Sequence, residues 1–197
     1  LCGVVIGKTA DEVMALVGEG HGTEEVQTAG CTITVTDLLQ AVANAVKNAA
    51  PSEATKDSKL NLGFSVSQSL TDATEEKGGN NQLDVTFAAV ATGSDGKVQA
   101  IYTDCIQAKF TFDTAGVSTI DPAKAFLTKK ELGNDYGMSK TGAKEWFEQA
   151  AAFESTCMGK TAAEITAFEG ADGTVAEEVI TAGCTIHVNG LVEAAAK

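Results

Sequence analysis

The sequence predicts an α+β protein, in which helices pack on a mainly antiparallel sheet. It also predicts that the C-terminal half-unit, helix–loop–strand–helix, is duplicated at the N-terminus. Three observations lead there. The stretch T-A-G-C-T-I stands at 28–33 and again at 181–186, each time after an acidic pair and a valine (Glu24, Glu25, Val26 and Glu177, Glu178, Val179). Further upstream, G-K-T-A-D-E-V from Gly7 matches G-K-T-A-A-E-I from Gly159. Between the copies lie segments that alternate apolar and polar residues with the period of strands. The repeat divides the chain into a partial unit at 1–50, a polar linker at 51–59 and a complete unit at 60–197.

Residues 1–6 are apolar and read as the end of a helix or strand begun upstream, so that something has been removed ahead of Leu1. Thr9 and Glu12 form a capping box, in which the threonine oxygen accepts from the Glu12 amide and the carboxylate reaches back, so a short helix runs to about Leu16. Gly18, Gly20 and Gly22 make a loop. Residues 31–35 are β-branched and alternate, and read as a strand. Thr36 or Asp37 then caps a helix to about Ala49, with Leu38, Val42, Ala45, Val46 and Ala49 on its apolar face. After the linker, Leu60–Leu70 alternates as a strand, and 71–82 is a polar loop. Leu83–Thr92 and Lys97–Cys105 flank a G-S-D-G hairpin turn, and Ala108–Asp113 is a further strand. Thr114–Ile120 is a turn or short strand, and Asp121-Pro122 opens a brief helical or irregular segment. Glu131–Lys140 has two glycines and no periodicity, and reads as a structured loop. Thr141 caps a helix to about Ser155 that places Trp146, Ala150 and Phe153 on one face. Thr161 and Glu164 repeat the capping box, followed by a short helix, a Gly-Asp loop, a strand at Cys184–Val188 and a last helix from about Asn189.

Composition narrows the function. The net charge is 14 − 27 = −13, with no arginine. That argues against nucleic acid and anionic membrane surfaces as partners, which demand clustered cations, and the lack of arginine removes bidentate guanidinium clamps. No apolar run is long enough for a transmembrane segment. The five cysteines, Cys2, Cys31, Cys105, Cys157 and Cys184, contain no C-x-x-C pair. They read as small buried apolar residues, or, if the two repeated strands lie close, as a Cys31–Cys184 bridge. His21 and His187 have no ligand spacing around them, so no metal site is expected. There is no nucleophile elbow, P-loop or dinucleotide fingerprint, and the chain is not expected to be an enzyme.

L-N-L-G-F-S-V from Leu60, S-D-G-K-V from Ser94, Q-A-K-F-T-F-D at 107–113, K-K-E-L-G-N-D-Y-G-M at 129–138 and K-E-W-F-E-Q-A-A-A-F at 144–153 carry a resemblance over nearly all of 58–197. These segments resemble repeats in secreted lipoproteins of clostridia and related anaerobes. The order of parts is also similar to the FMN-binding domain of extracytoplasmic electron-transfer proteins, with a D-G-K hairpin, a glycine-bearing loop, a helix, G-K, and S-G-A-T before an Ala/Val-rich helix. Ala182-Gly183-Cys184-Thr185, and in the partial copy Ala29-Gly30-Cys31-Thr32, stand at the S-G-A-T position.

That second resemblance implies an extracellular or cell-surface module for electron transfer. FMN would be joined through a phosphoester to Thr185 or Thr32, beside Gly183, Cys184 and Gly30, with Tyr136 and Met138 against the ring. Other readings stay open: Thr32 and Thr185 as ordinary strand threonines, Gly30 and Gly183 as bulge or packing positions, Tyr136 and Met138 as core. The alternative function is a structural repeat without a cofactor, whose partners are other copies of the repeat or of the same chain.

Overall fold

A computed structural model describes residues 1–19, 21–118, 120–121, 125–170 and 172–197. Gly20 of the glycine loop and Pro122 of the Asp121-Pro122 segment lie outside the described residues. The chain forms two compact units, 1–51 and 52–197.

The first unit is helical: α1 (Cys2–Val5), α2 (Ala10–Met14), α3 (Glu24–Thr28) and α4 (Thr36–Lys47). The Thr9 hydroxyl oxygen accepts the Glu12 amide and the Glu12 carboxylate accepts the Thr9 amide, closing the expected capping box. Its core is Val13, Leu16, Val26, Val35, Leu39 and Ala43. These are apolar residues brought together by four short helices, none of which would be stable alone at this length.

The second unit carries the α+β architecture. β1 (Lys59–Thr71), β2 (Gly79–Thr92) and β3 (Val98–Phe112) form an antiparallel sheet in the order β1-β2-β3. Phe64 pairs with Phe87, and Val66 with Val85, which in turn pairs with Ile106. A register shift at Ala91/Thr92 marks the hairpin end. α5 (Lys129–Leu132), two 3-10 turns (Gly133–Tyr136 and Met138–Thr141), α6 (Trp146–Cys157), α7 (Ala162–Thr166), α8 (Glu177–Ala182) and α9 (Asn189–Ala196) follow. α6 and α9 cover one face of the sheet, where Ala88, Val90 and Cys105 meet Phe153, Leu191 and Val192. Phe153 and Phe168 cross edge to face at 6.2 Å between centroids.

The other face is bare over β1. Leu60, Leu62, Phe64, Val66 and Leu70 alternate onto it, and Leu60 and Leu62 keep 71% and 66% of their surface exposed. The opposite side chains of β1 are small: Asn61, Gly63, Ser65 and Ser67. Their size lets α9 sit low on the strand, with Ser65 donating to the Glu193 carboxylate at 2.6 Å.

The structure corrects several sequence expectations. Cys31–Val35 and Cys184–Val188 are not strands; they are irregular connectors between helices. Five β-branched or small residues have strand propensity only where a neighbouring strand can pair with them. Here the Cys184 amide instead returns to the Val179 carbonyl at 3.1 Å, and Val188 already has helical dihedrals as the cap of α9. The segments Lys97–Cys105 and Ala108–Asp113 are one strand, since Ile106 and Gln107 contain no turn chemistry. β2 begins at Gly79, which shortens the polar loop. α6 starts at Trp146 behind a Glu145 cap rather than at Thr141. Within unit 1, α4 buries Leu39 and Ala43 and leaves Leu38 and Val46 exposed. All five cysteines are free, which excludes the Cys31–Cys184 bridge. The polar stretch before β1 is tied to its own unit, for Glu53 donates its amide to the Gln99 carbonyl and Ser58 its hydroxyl to the Gln99 side chain.

The two T-A-G-C-T-I stretches have the same local conformation. Gly30 and Gly183 both take positive φ, 85° and 105°. The Cys31 amide bonds the Val26 carbonyl at 3.2 Å, as Cys184 does Val179. The Thr23 amide bonds Leu16 and the Ala176 amide bonds Phe168, each at 2.9 Å. Lys8 pairs with Glu25 as Lys160 pairs with Glu178.

Candidate functional site

The residues singled out in unit 2 converge on the first turns of α6. Glu145 caps that helix, and its buried carboxylate accepts the Met138 amide (3.0 Å), the Ser139 amide (2.9 Å) and the Ser139 hydroxyl (2.6 Å). One turn along, buried Gln149 accepts both the backbone amide and the hydroxyl of Thr185 (2.8 and 3.0 Å) and donates to the Lys144 carbonyl. Two polar side chains at i and i+4 therefore hold the 138–139 turn and the 184–185 connector at neighbouring positions on one helix. Both are fully used in doing so, as buried polar groups must be.

Thr185 itself is exposed, while Cys184 beneath it is buried in the core. A Cβ on Gly183 would stand 2.7 Å from the Lys144 ammonium, so that cation lies directly over the Gly183 backbone. Tyr136 and Met138 are half-buried and pack against the main core cluster. The Lys129 ammonium sits 5.1 Å from the Tyr136 ring centroid and 5.4 Å from that of Trp146, which occupies the aromatic surface with a cation. In unit 1, Thr32 and Gly30 are exposed on their connector.

Thr185, Gly183, Tyr136 and Met138 line neither of two hollows, one in each unit. A ligand pocket runs to about 300–1,000 Å³ and is enclosed on most sides. One cavity of unit 2, about 140 Å³, lies between β1, β2, α7 and α9 and touches none of Thr185, Gly183, Tyr136 or Met138. A broad open depression of about 750 Å³ in unit 1 is lined by α1 and α3 residues, Ala29 among them, and touches neither Thr32 nor Gly30. A flavin on Thr185 would lie on the surface, and its ester would displace the hydroxyl bond to Gln149. Among the described residues no group of three or more His, Cys, Asp or Glu side chains is placed to hold a metal. No described helix is long and apolar enough to cross a membrane.

The Ser139 hydroxyl and amide, with the Met138 amide, hold the Glu145 carboxyl below its ordinary value. A lowered folded-state value means that the tether contributes stability above the unfolded-state value and loses it as the pH falls through the folded one. Amide exchange at Met138 and Ser139, corrected for intrinsic rate, should stay slow at neutral pH and accelerate only once the pH is below the ordinary carboxylate range. Glu145→Ala should exchange fast throughout; slow exchange in that variant would contradict the tether. Burial pushes the Cys157 thiol up to about 12 and raises Cys105 and Cys184, so these three behave as protonated, apolar packing groups.

A second polar cluster lies at the β3 edge, where sequence pattern points to nothing. Asp104, buried, accepts the Cys105 and Lys130 amides and the Tyr102 hydroxyl. Glu154 accepts the Thr103 amide, the Thr103 hydroxyl and the Lys130 ammonium, and that ammonium rests 3.8 Å from the Tyr102 ring centroid. Burial first, and then the Asp104 carboxylate, raise the Tyr102 phenol. Every member is partnered within the fold, so the cluster anchors α5 to the sheet.

No protein-family model, curated protein or solved structure matches this chain.

Proposed function

We propose that this chain is a structural repeat of an assembling, cell-surface protein, and that the sheet face left bare over β1 is its contact surface. The observation that carries the reading is the row Leu60, Leu62, Phe64, Val66 and Leu70, standing exposed on a strand of thirteen residues. Soluble proteins seldom leave such a contiguous apolar patch without a partner. β1 is also an edge strand; between Leu60 and Thr71 it has no proline and no charged residue of its own, though the Lys197 ammonium bonds the Phe64 carbonyl at 2.9 Å. Thirteen residues at about 3.3 Å and the two strands β1 and β2 at about 4.8 Å make the open part of the face roughly 43 by 10 Å, on the order of 400 Å². Two partners covering it would bury about 800 Å², the size of a weak, transient contact. The net charge of −13 opposes close approach of two copies, so added salt should favour assembly. The cell-surface setting and the choice of like copies as partners rest on the resemblance to lipoprotein repeats.

Sedimentation velocity tests the reading. The protein should shift from monomer to larger species as its concentration is raised through about 10 to 500 μM. Leu62→Glu, which places a charge in the centre of the patch, should remain monomeric with an unchanged circular dichroism spectrum. Monomer at every concentration for the unaltered protein would sink the proposal.

A second reading, the extracytoplasmic FMN carrier, is favoured by one observation: Thr185, an exposed residue whose hydroxyl is bonded to Gln149, stands next to a backbone turn overlain by the Lys144 ammonium, a suitable setting for a phosphate. Protein isolated from its native host should then exceed the sequence mass by one or two FMN and be yellow. Colourless protein of unmodified mass from that host would remove it.

A further inference from the structure

β1 is bonded to β2 on one side and free on the other, and the register fixes which of its residues face the free side. In an antiparallel strand the N–H and C=O of one residue point the same way, and the direction alternates along the chain. One row across the sheet is Ser65, Thr86 and Cys105. The Cys105 amide is bonded to the Asp104 carboxylate and the Thr103 amide to that of Glu154, so these residues turn their backbone groups away from β2. Thr86 therefore faces β1 and bonds Ser65. Leu62, Phe64, Val66 and Gln68 then point their amides and carbonyls outward. The contact at Phe64 agrees, because the Lys197 ammonium reaches that carbonyl at 2.9 Å.

Lys197 does not stand there alone. Its ammonium is also 2.7 Å from one Glu193 carboxylate oxygen, a helical turn back on α9, and the other oxygen accepts the Ser65 hydroxyl at 2.6 Å. Ser65 is buried, so the chain of contacts from Ser65 through Glu193 and Lys197 to Phe64 is pinned at its inner end. A lysine laid across an edge is one way of keeping further strands from adding to it. Without it, β1 is suited to pair with its own copy. Antiparallel pairing about a two-fold axis at Ser65 sets Leu60 against Leu70, Leu62 against Gln68 and Phe64 against Val66, with no charge between Leu60 and Thr71. Pairing of that kind joins two bare faces into one of twice the area. In that register, however, each Phe64 carbonyl must accept the Val66 amide of the other copy, and the Lys197 ammonium already holds it.

We propose that Lys197 and Glu193 form a latch on the free edge of β1, and that two copies pair β1 to β1 only when the latch is open. The latch regulates the assembly proposed above and rests on that reading. It acts at the middle of the edge, where the two bonds beside the axis are lost together. Closed, it leaves copies only the face contact, which is weak at about 800 Å². Open, it adds a backbone hydrogen-bond ladder, which a face contact does not supply.

Lys197→Met on the full chain tests it. The Lys197 side chain is 55% exposed, so the fold should survive, as circular dichroism will verify. The substitution also makes the chain one charge more negative, which by itself opposes contact between copies. A gain in association therefore reports the edge and not the charge. Sedimentation should place half-association at a concentration about tenfold lower than for the unaltered protein, the factor expected of two added backbone hydrogen bonds. Amide exchange at Phe64 and Val66 should slow several-fold in the associated variant, which contact through the face alone would not bring about. Lys56→Met makes the same charge change at a side chain 87% exposed and paired only with Asp57, and should show neither effect. If Lys197→Met gains nothing over Lys56→Met, or associates while Phe64 and Val66 exchange as fast as in the monomer, the latch is wrong; association of the unaltered protein would still uphold the face contact. If no form of the protein associates, both fall.

Discussion

Gly63→Ala should lower the free energy of unfolding by about 3 kcal/mol, the upper part of the range for overpacking a well-filled interface. The usual expectation for this substitution in an extended segment has the opposite sign, a gain of about 0.4–1 kcal/mol from a stiffer unfolded chain. Geometry decides between them. The added methyl carbon would stand 1.8 Å from the Ala194 carbonyl oxygen, a backbone atom in the last turn of α9. Neither partner is the flexible end of a side chain, so α9 has to lift off β1. With it go Leu191, Val192, Ala194 and Ala195, all buried against the sheet or its neighbours. Gly3→Ala is the matched control: nothing lies within 4 Å of the Cβ it would gain, and it should be neutral or slightly stabilising. Urea titration of both variants measures the contrast. A Gly63→Ala protein as stable as the unaltered one would mean that α9 is not seated as described.

Glu154→Ala should cost about 3 kcal/mol, because it strands a nearly buried cation and a buried amide together. The Lys130 and Glu154 side chains are 17% and 16% exposed and meet at 2.6 Å. The same carboxylate oxygen also serves the amide and hydroxyl of Thr103, which is fully buried. The residual exposure places the cost at the low end of what breaking a buried pair entails. If the penalty comes from the orphaned ammonium rather than from lost packing, Lys130→Met combined with Glu154→Leu should recover much of it. Thermal unfolding of the single and double variants separates the two causes. A double variant no better than Glu154→Ala would assign the loss to packing and to the Thr103 groups.

These sites show what a sequence discloses and what it withholds. Thr9 with Glu12 and Thr161 with Glu164 were legible because a capping box is complete within four residues. The alternation of Leu60–Leu70 was legible because a strand's period is local. C-T-I-T-V was misread for the converse reason: its β-branched residues promise a strand, but a strand exists only with a partner, and here the flanking helices claim both ends. α4 shows the same limit. Leu38 and Leu39 are the same residue type side by side, and only the surroundings decide that the second is core and the first surface. Glu145, Gln149 and Glu154 look like ordinary helix carboxylates and amides on α6. Their bonds to Ser139, Thr185 and Thr103 join segments far apart in sequence for the last two, and no spacing rule announces them. Thr185 reads in the sequence as a strand residue but lies in the irregular connector ahead of α9. Its hydroxyl bond to Gln149 and the lysine lying between Tyr136 and Trp146 became visible only in three dimensions.

The contact surface on β1 can be tested most directly by hydroxyl-radical footprinting of the unaltered protein at low and at high concentration. Oxidation of Leu62 and Phe64 should fall several-fold as the protein is concentrated, while exposed side chains away from the sheet, such as Ile180, keep their rates. Unchanged oxidation of Leu62 and Phe64 across the series would contradict the account, because a face that stays wet at every concentration is not an interface.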